Sequence, residues 1–231
     1  LLEKNQIKAL RLLGIGIGAV GPLDRENGVI LEPELYPAEG WQNIAIVDEL
    51  KATFKDQKIL LENGANTAAL AEYYQADDPK QNILYCISGI GLRCGVLSNG
   101  NFVQNTTGDA SAIGQMVINF NEKGMRTLAS YISLDSILTE VKYRISQGEQ
   151  SVLVDLVKGN LANSTIEHIF IGLKQSDPLI TEVVLKTASY YGIGLANVIN
   201  MLHPEHIILN GPIINKSPAY FENVIETAKS H

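Results

Sequence analysis

Three glycines near the start of the chain have a spacing that could bind a pyrophosphate. Gly16, Gly18 and Gly21 form the pattern G-x-G-x-x-G after an apolar run, and such glycines let a backbone come close to phosphate groups. This chemistry also needs a helix directly after the glycines, because the N–H groups of its first turn bind the phosphates. Pro22 and a polar turn ending at Gly28 stand there instead. We therefore expect tight strand packing and a turn, not a dinucleotide site.

Two histidines have the types and spacing of half a metal site. His203 and His206 are three residues apart, but Pro204 lies between them and neither a cysteine nor a third histidine is near in the sequence. A structural zinc needs four ligands. We therefore expect a solvated turn here and no metal site, and we expect His168 to be partly exposed on a helix.

A third pattern, formed by Gly89, Gly91 and Gly95, lies between two predicted strands. The backbone N–H groups of such a turn can bind a phosphate. The glycines can equally serve to permit sharp bends. These residues alone leave both interpretations open.

The overall charge restricts the kinds of partner. The chain has 18 Lys and Arg residues against 25 Asp and Glu residues, a net charge of −7. Binding to duplex DNA depends on a basic face that neutralises phosphates. We therefore expect DNA contact only through a region upstream of Leu1.

Hydropathy and cysteine usage indicate the cellular compartment. No run approaches the roughly 20 consecutive apolar residues that a membrane-spanning helix needs. Residues 1–11 mix charged with apolar positions, which favours an amphipathic helix over a secretory signal. We expect a cytoplasmic protein without membrane contact, in which Cys86 and Cys94 are buried thiols.

The elements that must position these residues alternate between strands and helices in the first half of the chain, as in an α/β fold. An apolar run at residues 12–20 predicts a strand buried on both faces. The other predictions for this half are a strand at residues 58–62, a helix at 65–74, and strands at 83–87 and 95–97 followed by the hairpin signal Asn99-Gly100.

Helical periodicity dominates the second half. It predicts helices at residues 134–144 and 166–173. Asp177-Pro178 then supplies an N-cap and a proline at the first helical position, opening a long helix that His203-Pro204 ends. A buried strand at residues 207–209 follows.

Several segments, in this order, resemble the ROK family (repressors, open reading frames and kinases). Residues 13–24, LGIGIGAVGPLD, look like the family's strand and Pro-Gly-Pro-Val-Asp turn, and residues 62–66 are similar to its Glu-Asn-Asp-Ala-Asn signature. Residues 88–100 resemble its phosphate turn and hairpin, and residues 108–116, GDASAIGQM, stand where the family has Gly-Glu-Ile-Gly-His-Met. Residues 177–211 follow its C-terminal helix and strand.

The resemblance implies an α/β, actin-like ATPase (ribonuclease H-like) fold of two domains. Residues 1–80 would be the remainder of the small domain, whose first strands and phosphate loop would precede Leu1. Residues 81–231 would form the large domain that carries the dimer surface. We therefore expect a homodimer.

The departures from the family fall on its chemistry. Kinases of the family use the aspartate of Glu-Asn-Asp-Ala-Asn as the base that accepts the proton of the sugar hydroxyl, and the residue here is Gly64. The two sugar-binding glutamates correspond to Ala112 and Ala129, and the histidine that contacts sugar and zinc corresponds to Gln115. Of the usual sugar ligands only Asn63 remains, so the resemblance implies a vestigial sugar site.

The zinc and nucleotide positions differ as well. The family's zinc motif should lie within residues 119–128, where there is no cysteine. Gly89, Gly91 and Gly95 are a remnant of the phosphate turn, in which Arg93 places a large cation where the backbone normally approaches the nucleotide. We expect no metal and no other cofactor.

Together these residues predict a non-catalytic regulator of the repressor or anti-repressor kind. It would act by contact with another protein, for instance a second transcription regulator, and sugar binding is not expected. One alternative is the effector domain of a sugar-responsive repressor with a pocket rebuilt around Asn63 and Gln115. A further alternative is a working sugar kinase with an unrecognised base.

Overall fold

The computed structural model describes residues 3–6, 11–33, 40–77, 80–103, 112–121 and 124–231. The chain divides into two compact units, Leu1–Tyr85 with Cys94–Ser111, and Cys86–Arg93 with Ala112–His231. The predicted domain boundary near residue 80 stays a prediction. The prediction of a helix at residues 1–11 falls mostly outside the described residues, of which Glu3–Asn5 form a 3-10 turn.

Strands and helices alternate through residue 102. In chain order they are β1 (Gly14–Ala19), β2 (Leu23–Asp24), β3 (Val29–Ile30), α1 (Ile46–Thr53), β4 (Lys58–Asn63), α2 (Gly64–Gln75), β5 (Ile83–Ser88), β6 (Leu92–Ser98) and β7 (Asn101–Phe102).

The rest of the chain is mainly helical. Its elements are β8 (Val117–Asn121), β9 (Gly124–Thr127), α3 (Ala129–Ile132), α4 (Leu134–Ser146), α5 (Leu153–Leu156), α6 (Ile166–Lys174), α7 (Pro178–Leu202), β10 (His206–Asn210), α8 (Pro212–Lys216) and α9 (Pro218–Lys229). Among the described residues, no helix is long and apolar enough to span a membrane.

The first unit is built on β1 and β4, which pair in parallel from Gly14↔Lys58 to Ala19↔Asn63. One face of β1 packs Ile15 and Ile17 against a cluster of buried residues that α1, β2, β3 and β4 contribute. These buried residues are Leu23, Ile30, Val47, Ile59 and Leu61.

The prediction that residues 12–20 form a strand buried on both faces is wrong in its burial. β1 alternates between exposed glycines and half-buried apolar residues, and Leu13 is 99% exposed. The physical reason is that the described residues cover only one face of the strand. The sequence alternates accordingly, with glycine on the open face and Ile or Ala on the packed face.

The hairpin and strand predictions for the middle of the chain are confirmed. β5, β6, β7 and β10 form one sheet in the order β10-β5-β6-β7. β6 and β7 pair antiparallel through Leu97↔Phe102 and Ser98↔Asn101. Asn99 and Gly100 both have positive φ, 51° and 72°, as a two-residue hairpin of type I′ requires.

The long helix α7 organises the second unit. It begins after Asp177, which is 2% exposed. The side chain of Asp177 accepts from Ile180 N at 2.8 Å and from Val152 N at 2.8 Å. The helix ends where His203 adopts the left-handed conformation. α9 packs along α7, and Gly192 lies at that contact.

Candidate functional site

The junction of β4 and α2 holds Asn63, the one residue that the resemblance leaves unchanged among the usual sugar ligands of the family. Parallel pairing with β1 carries Asn63 to the carboxyl end of β4, and α2 begins at Gly64. Asn63 is 1% exposed, and its Oδ1 accepts from Ala65 N at 2.9 Å. The side chain is therefore the N-cap of α2, so its carbonyl oxygen already has a structural role.

Glu62 is the centre of a hydrogen-bonded cluster beside this junction. Its Oε1 accepts from Arg25 Nε at 2.9 Å, from Asn66 Nδ2 at 3.0 Å and from Asn63 N at 2.7 Å. Asn66 is 2% exposed. The carboxylate thus satisfies buried donors from both sides of the strand–helix junction, which fixes the start of α2.

The turn between β2 and β3 positions Arg25 for that contact. Asp24 Oδ1 accepts from Asn27 N at 2.9 Å, and Oδ2 accepts from Asn27 Nδ2 at 2.7 Å. These two bonds lower the pKa of Asp24 below its usual value. Arg25 Nη2 is buried and has no hydrogen-bond partner among the described residues. Sequence reasoning did not identify Arg25, because 37 residues separate it from Glu62 and no local pattern joins them.

Gly64, which the resemblance aligns with the family base, offers no side chain for proton transfer. A Cβ built on Gly64 would meet only Ala19 O, at 3.7 Å. This is an ordinary contact distance, and Gly64 is not among the glycines with positive φ. Neither local crowding nor backbone conformation therefore requires glycine at this position.

Gly95 has a packing role in the first unit. A Cβ on Gly95 would lie 2.1 Å from Ala65 O and 3.0 Å from Asn66 Cα. β6 can therefore approach the first turn of α2 only because residue 95 has no side chain. Of the two interpretations that the sequence left open, close backbone packing accounts for this glycine.

In the second unit, Gly89 and Gly91 form the turn between β5 and β6. Gly89 N donates to Gly91 O at 2.8 Å, and Gly89 O accepts from Leu134 N at 2.9 Å. A Cβ on Gly89 would meet nothing within 4 Å, so the turn is open on that side. Arg93 follows in β6, with a buried Nε that has no hydrogen-bond partner among the described residues.

The remaining sugar positions also lie in the second unit. Ala112 and Gln115 are in one 3-10 turn, and Ala129 is the first residue of α3. The 3-10 turn packs closely on the start of α3 at Gly114, because a Cβ on this glycine would lie 2.9 Å from Leu92 O and 3.3 Å from Ala129 Cβ. Gln115 is exposed. Asn63 and Gly64 belong to the first unit, and residues 108–111 of the GDASAIGQM segment lie outside the described residues.

The stretch at the family's zinc motif forms the antiparallel ribbon of β8 and β9. Phe120 pairs with Met125, and both side chains are exposed. The ribbon packs on α3 through Asn119 Nδ2, which donates to Tyr131 OH at 2.8 Å, and through Arg126, whose guanidinium lies 3.8 Å from the Tyr131 ring centre. Within the described part of the chain, no three His, Cys, Asp or Glu residues could together hold a metal ion.

Two other predictions about candidate residues have clear outcomes. Cys86 and Cys94 are buried free thiols, as predicted. β1 leads into Gly21-Pro22 and then β2 rather than into a helix. The prediction of a turn instead of a helix after Gly16, Gly18 and Gly21 is therefore confirmed. The prediction of tight packing holds at Gly18, where a Cβ would lie 2.9 Å from Thr67 Oγ1, and is wrong at Gly16, where a Cβ would meet nothing within 4 Å.

Sequence comparison links the chain to both regulators and kinases. The model of the ROK family matches residues 1–231. A xylose repressor of Caldicellulosiruptor bescii is 28% identical over 98% of this chain and 57% of that protein. A glucokinase of Halalkalibacterium halodurans is 30% identical over 87% of this chain and 62% of the glucokinase. The chain thus spans less than two thirds of either relative.

Solved structures show the same fold. One is a ROK family transcriptional regulator, a homologue of the Escherichia coli MLC protein. The match covers 98% of this chain and 56% of the regulator's chain, with a TM-score of 0.78 and 24% sequence identity. A ROK hexokinase from Thermus thermophilus matches 99% of this chain and 72% of its own with a TM-score of 0.77 at 24% identity. The chain therefore has the α/β, actin-like sugar-kinase fold and belongs to the ROK family.

Proposed function

We propose that the chain is a non-catalytic module of a ROK-type transcriptional regulator that acts through protein–protein contact. The observation that carries this proposal is Gly64 at the position of the catalytic base. Phosphoryl transfer to a sugar needs a group that accepts the hydroxyl proton. Glycine has none, although the backbone there has room for a Cβ.

The nearest carboxylate does not replace the missing base. Glu62 Oε1 already accepts from three donors, including Arg25. Moving this side chain toward a substrate would leave the buried amide of Asn66 without that partner, and an unsatisfied buried polar group costs about 1 to 3 kcal/mol. Glu62 therefore has a structural role at the start of α2.

The sugar side supports the same proposal. Ala112 and Ala129 stand where the resemblance places glutamates, and methyl groups cannot accept hydrogen bonds from hydroxyls. Asn63 keeps the right side chain, but its Oδ1 caps α2. Few convergent polar groups are left to hold a sugar.

Relatives in the family support a regulatory role. Besides the xylose repressor already described, an Escherichia coli N-acetylglucosamine repressor is 24% identical over 92% of this chain and 51% of the repressor. Because glucokinases are similar too, the residues of the site must decide between regulation and catalysis. The residue differences at Gly64, Ala112, Gln115 and Ala129 favour regulation.

The proposal also names the kinds of partner that the chain would contact. We further propose that the chain acts as an anti-repressor, like the staphylococcal anti-repressor of methicillin resistance, with a role in antibiotic resistance through contact with another transcription regulator. Homodimer formation and DNA contact through an upstream region belong to the same proposal. A cytoplasmic location follows from a role in transcription.

A second function is favoured by the repressor relatives. The chain could be the effector domain of a sugar-responsive repressor, with Asn63 and Gln115 as the hydrogen-bonding residues. The exposed side chain of Gln115 is available for such a contact. A measured sugar affinity separates this function from the favoured one.

A phosphoryl-transfer assay tests the absence of catalysis. The wild-type chain and Gly64→Asp are incubated with ATP, Mg²⁺ and glucose, N-acetylglucosamine or xylose, with a ROK glucokinase as the positive control. We expect no sugar-dependent ADP release from either protein, because the other sugar contacts are also changed. Sugar phosphate made by the wild type would contradict the proposal. Sugar phosphate made only by Gly64→Asp would confine the defect to one residue.

A further inference from the structure

A polar pocket lies between α4 and α7 in the second unit, and none of the base, sugar-ligand or phosphate-turn positions lines it. Its volume is ≈ 140 Å³. Successive turns of the two helices form its walls, with Ser136, Glu140 and Arg144 on α4 and Val183, Thr187 and Tyr190 on α7. We refer to this site as the α4–α7 pocket.

The two helices run in opposite directions along the α4–α7 pocket. Tyr131, which precedes α4, stacks on Tyr190 of α7 with 4.0 Å between the ring centres. At the end of α4, Arg144 Nη1 donates to Glu182 Oε1 at 2.8 Å. Glu140 belongs to the turn of α4 between these two contacts. A pair of aromatic rings therefore bounds one end of the pocket and an ion pair bounds the other.

The charges at the ion-pair end already offset one another. Arg144 donates from Nε and Nη2 to the two carboxylate oxygens of Glu149 at 2.6 Å each, besides its bond to Glu182. The hydrogen bonds with Glu149 and then with Glu182 raise the pKa of Arg144. The bond from Arg144 is the main cause of the lowered pKa of Glu182, and the charge of Lys186 lowers it further. Two cations and two carboxylates thus balance here.

One cation and one carboxylate in the pocket lack an opposite charge of their own. Arg126 is held by two contacts, a bond from Nη2 to Ser130 O at 3.0 Å and a distance of 3.8 Å from its guanidinium to the Tyr131 ring centre. Neither contact neutralises it. The carboxylate of Glu140 has no hydrogen bond or ion pair with any residue that the structure describes. The pocket therefore offers one guanidinium and one carboxylate to a ligand.

The size and the inner surface of the pocket restrict that ligand further. Val183 and Thr187 are buried, and the Tyr190 ring is half-buried. A cavity of about 150 Å³ holds one benzene molecule. The α4–α7 pocket, at ≈ 140 Å³, therefore suits a molecule of about six to ten non-hydrogen atoms with a small apolar part.

We propose that the α4–α7 pocket binds a free α-amino acid with a small apolar side chain. Its carboxylate faces Arg126, its ammonium group faces Glu140, and its side chain packs on Val183. A guanidinium binds a carboxylate well because two parallel N–H···O bonds can form. A purely anionic ligand would leave Glu140 unmatched, and a purely cationic ligand would leave Arg126 unmatched. Only a zwitterion offsets both charges, and partly buried charges are costly unless they are paired.

This inference goes beyond the proposed function. It gives the chain a small-molecule ligand outside the positions that the resemblance assigns to sugar. A sugar that binds at those positions would overturn the proposed function and leave the amino-acid site to its own test.

Three ligands test the pocket by isothermal titration calorimetry of the full chain. They are L-valine, N-acetyl-L-valine, which lacks the ammonium group, and L-valinol, which lacks the carboxylate. We expect L-valine to bind with a dissociation constant of about 1 mM or tighter, as is attainable for a ligand of this size. Each of the other two should bind at least about tenfold more weakly, because each loses one charge-assisted contact.

Matched variants assign each contact to its residue. Glu140→Gln should weaken L-valine at least about tenfold and remove the difference between L-valine and N-acetyl-L-valine. Arg126→Gln should do the same for the difference between L-valine and L-valinol. Glu226→Gln and Lys229→Gln remove exposed charges outside the pocket and should change nothing. Melting temperatures confirm that each variant is folded.

Four results would overturn the proposal. L-valine binding weaker than about 10 mM would show that the pocket has no use as an amino-acid site. Equal or tighter binding of N-acetyl-L-valine would make it a site for anions, and equal or tighter binding of L-valinol would make it a site for cations. L-valine binding that neither pocket variant alters would place the ligand elsewhere on the chain.

Discussion

At the scale of single residues, the polar side chains of the β4–α2 junction stabilise the start of α2 through hydrogen bonds within the chain. Asn63 caps the helix, and Glu62 collects hydrogen bonds from Arg25, Asn66 and the backbone. Gly64 adds nothing that could exchange a proton. The junction thus keeps the framework of a sugar-kinase site without its base.

Replacement of Arg25 by alanine tests the structural role of this cluster. The side chains of Arg25 and Glu62 are 21% and 17% exposed, so their hydrogen bond is partly shielded from water. We expect Arg25→Ala to lower the free energy of unfolding by about 1 to 2 kcal/mol and the urea midpoint by about 0.5 M. Lys229→Ala, at an exposed position, serves as the control. An unchanged midpoint for Arg25→Ala would show that the cluster contributes little.

At the scale of elements, the contact between α7 and α9 depends on Gly192. A Cβ at this position would lie 2.5 Å from Thr227 Cβ and 2.8 Å from Val224 O. Alanine in a helix normally stabilises by about 1 kcal/mol relative to glycine. Overpacking of this kind costs about 1 to 3 kcal/mol, and the backbone oxygen of Val224 cannot rotate away.

The net cost is therefore up to about 2 kcal/mol, and we expect Gly192→Ala to lower the melting temperature by up to about 8 °C. Gly194→Ala is the matched variant, because its Cβ would meet only side-chain atoms of Leu128, which can change rotamer. It should cost less than Gly192→Ala. A higher melting temperature for Gly192→Ala would contradict the close packing of the two helices.

The ribbon of β8 and β9 leads to a prediction about metal content. The resemblance places zinc ligands in this stretch, where β9 instead has Met125, Arg126 and Thr127, none of which is a usual zinc ligand. We expect elemental analysis of the purified chain to show no stoichiometric zinc. EDTA should leave its melting temperature unchanged, because no metal contributes to folding. About one zinc per chain would contradict this account.

The elements also show what the sequence could predict. Periodicity and caps predicted α7 from Asp177-Pro178 to His203, because those signals are local in the chain. The burial of β1 was mispredicted, because an apolar run does not reveal how many faces its neighbours cover. The partner of Glu62 was missed for a related reason, since Arg25 reaches it only through the β2–β3 turn. The family resemblance supplied Asn63 and Gly64, which no pattern in the sequence alone would have singled out.

At the scale of the whole molecule, the chain has the family fold, and under the proposed function the positions that the resemblance gives to the base, sugar and zinc ligands hold other residue types. The chain folds into two compact units. A regulator needs a stable fold and a surface for its partner. It does not need a proton acceptor at the β4–α2 junction.

Sugar binding is the property that most clearly separates the favoured function from the sugar-sensing alternative. Loss of two glutamates and an aspartate removes charge-assisted acceptors worth roughly 1.5 to 3 kcal/mol each. The low end of that sum, about 4.5 kcal/mol, would weaken a micromolar site roughly two-thousandfold. The chain should therefore bind glucose, N-acetylglucosamine and xylose no better than in the millimolar range.

A thermal-shift measurement with each sugar at about 10 mM tests this most directly. A ligand at a hundred times its dissociation constant adds about 2.7 kcal/mol of stability, a rise of about 5 to 10 °C for a chain of this size. We predict no such rise with glucose, N-acetylglucosamine or xylose relative to a sugar that does not bind. A rise of that size with any one of them would contradict the account and make the chain a sugar-sensing effector domain.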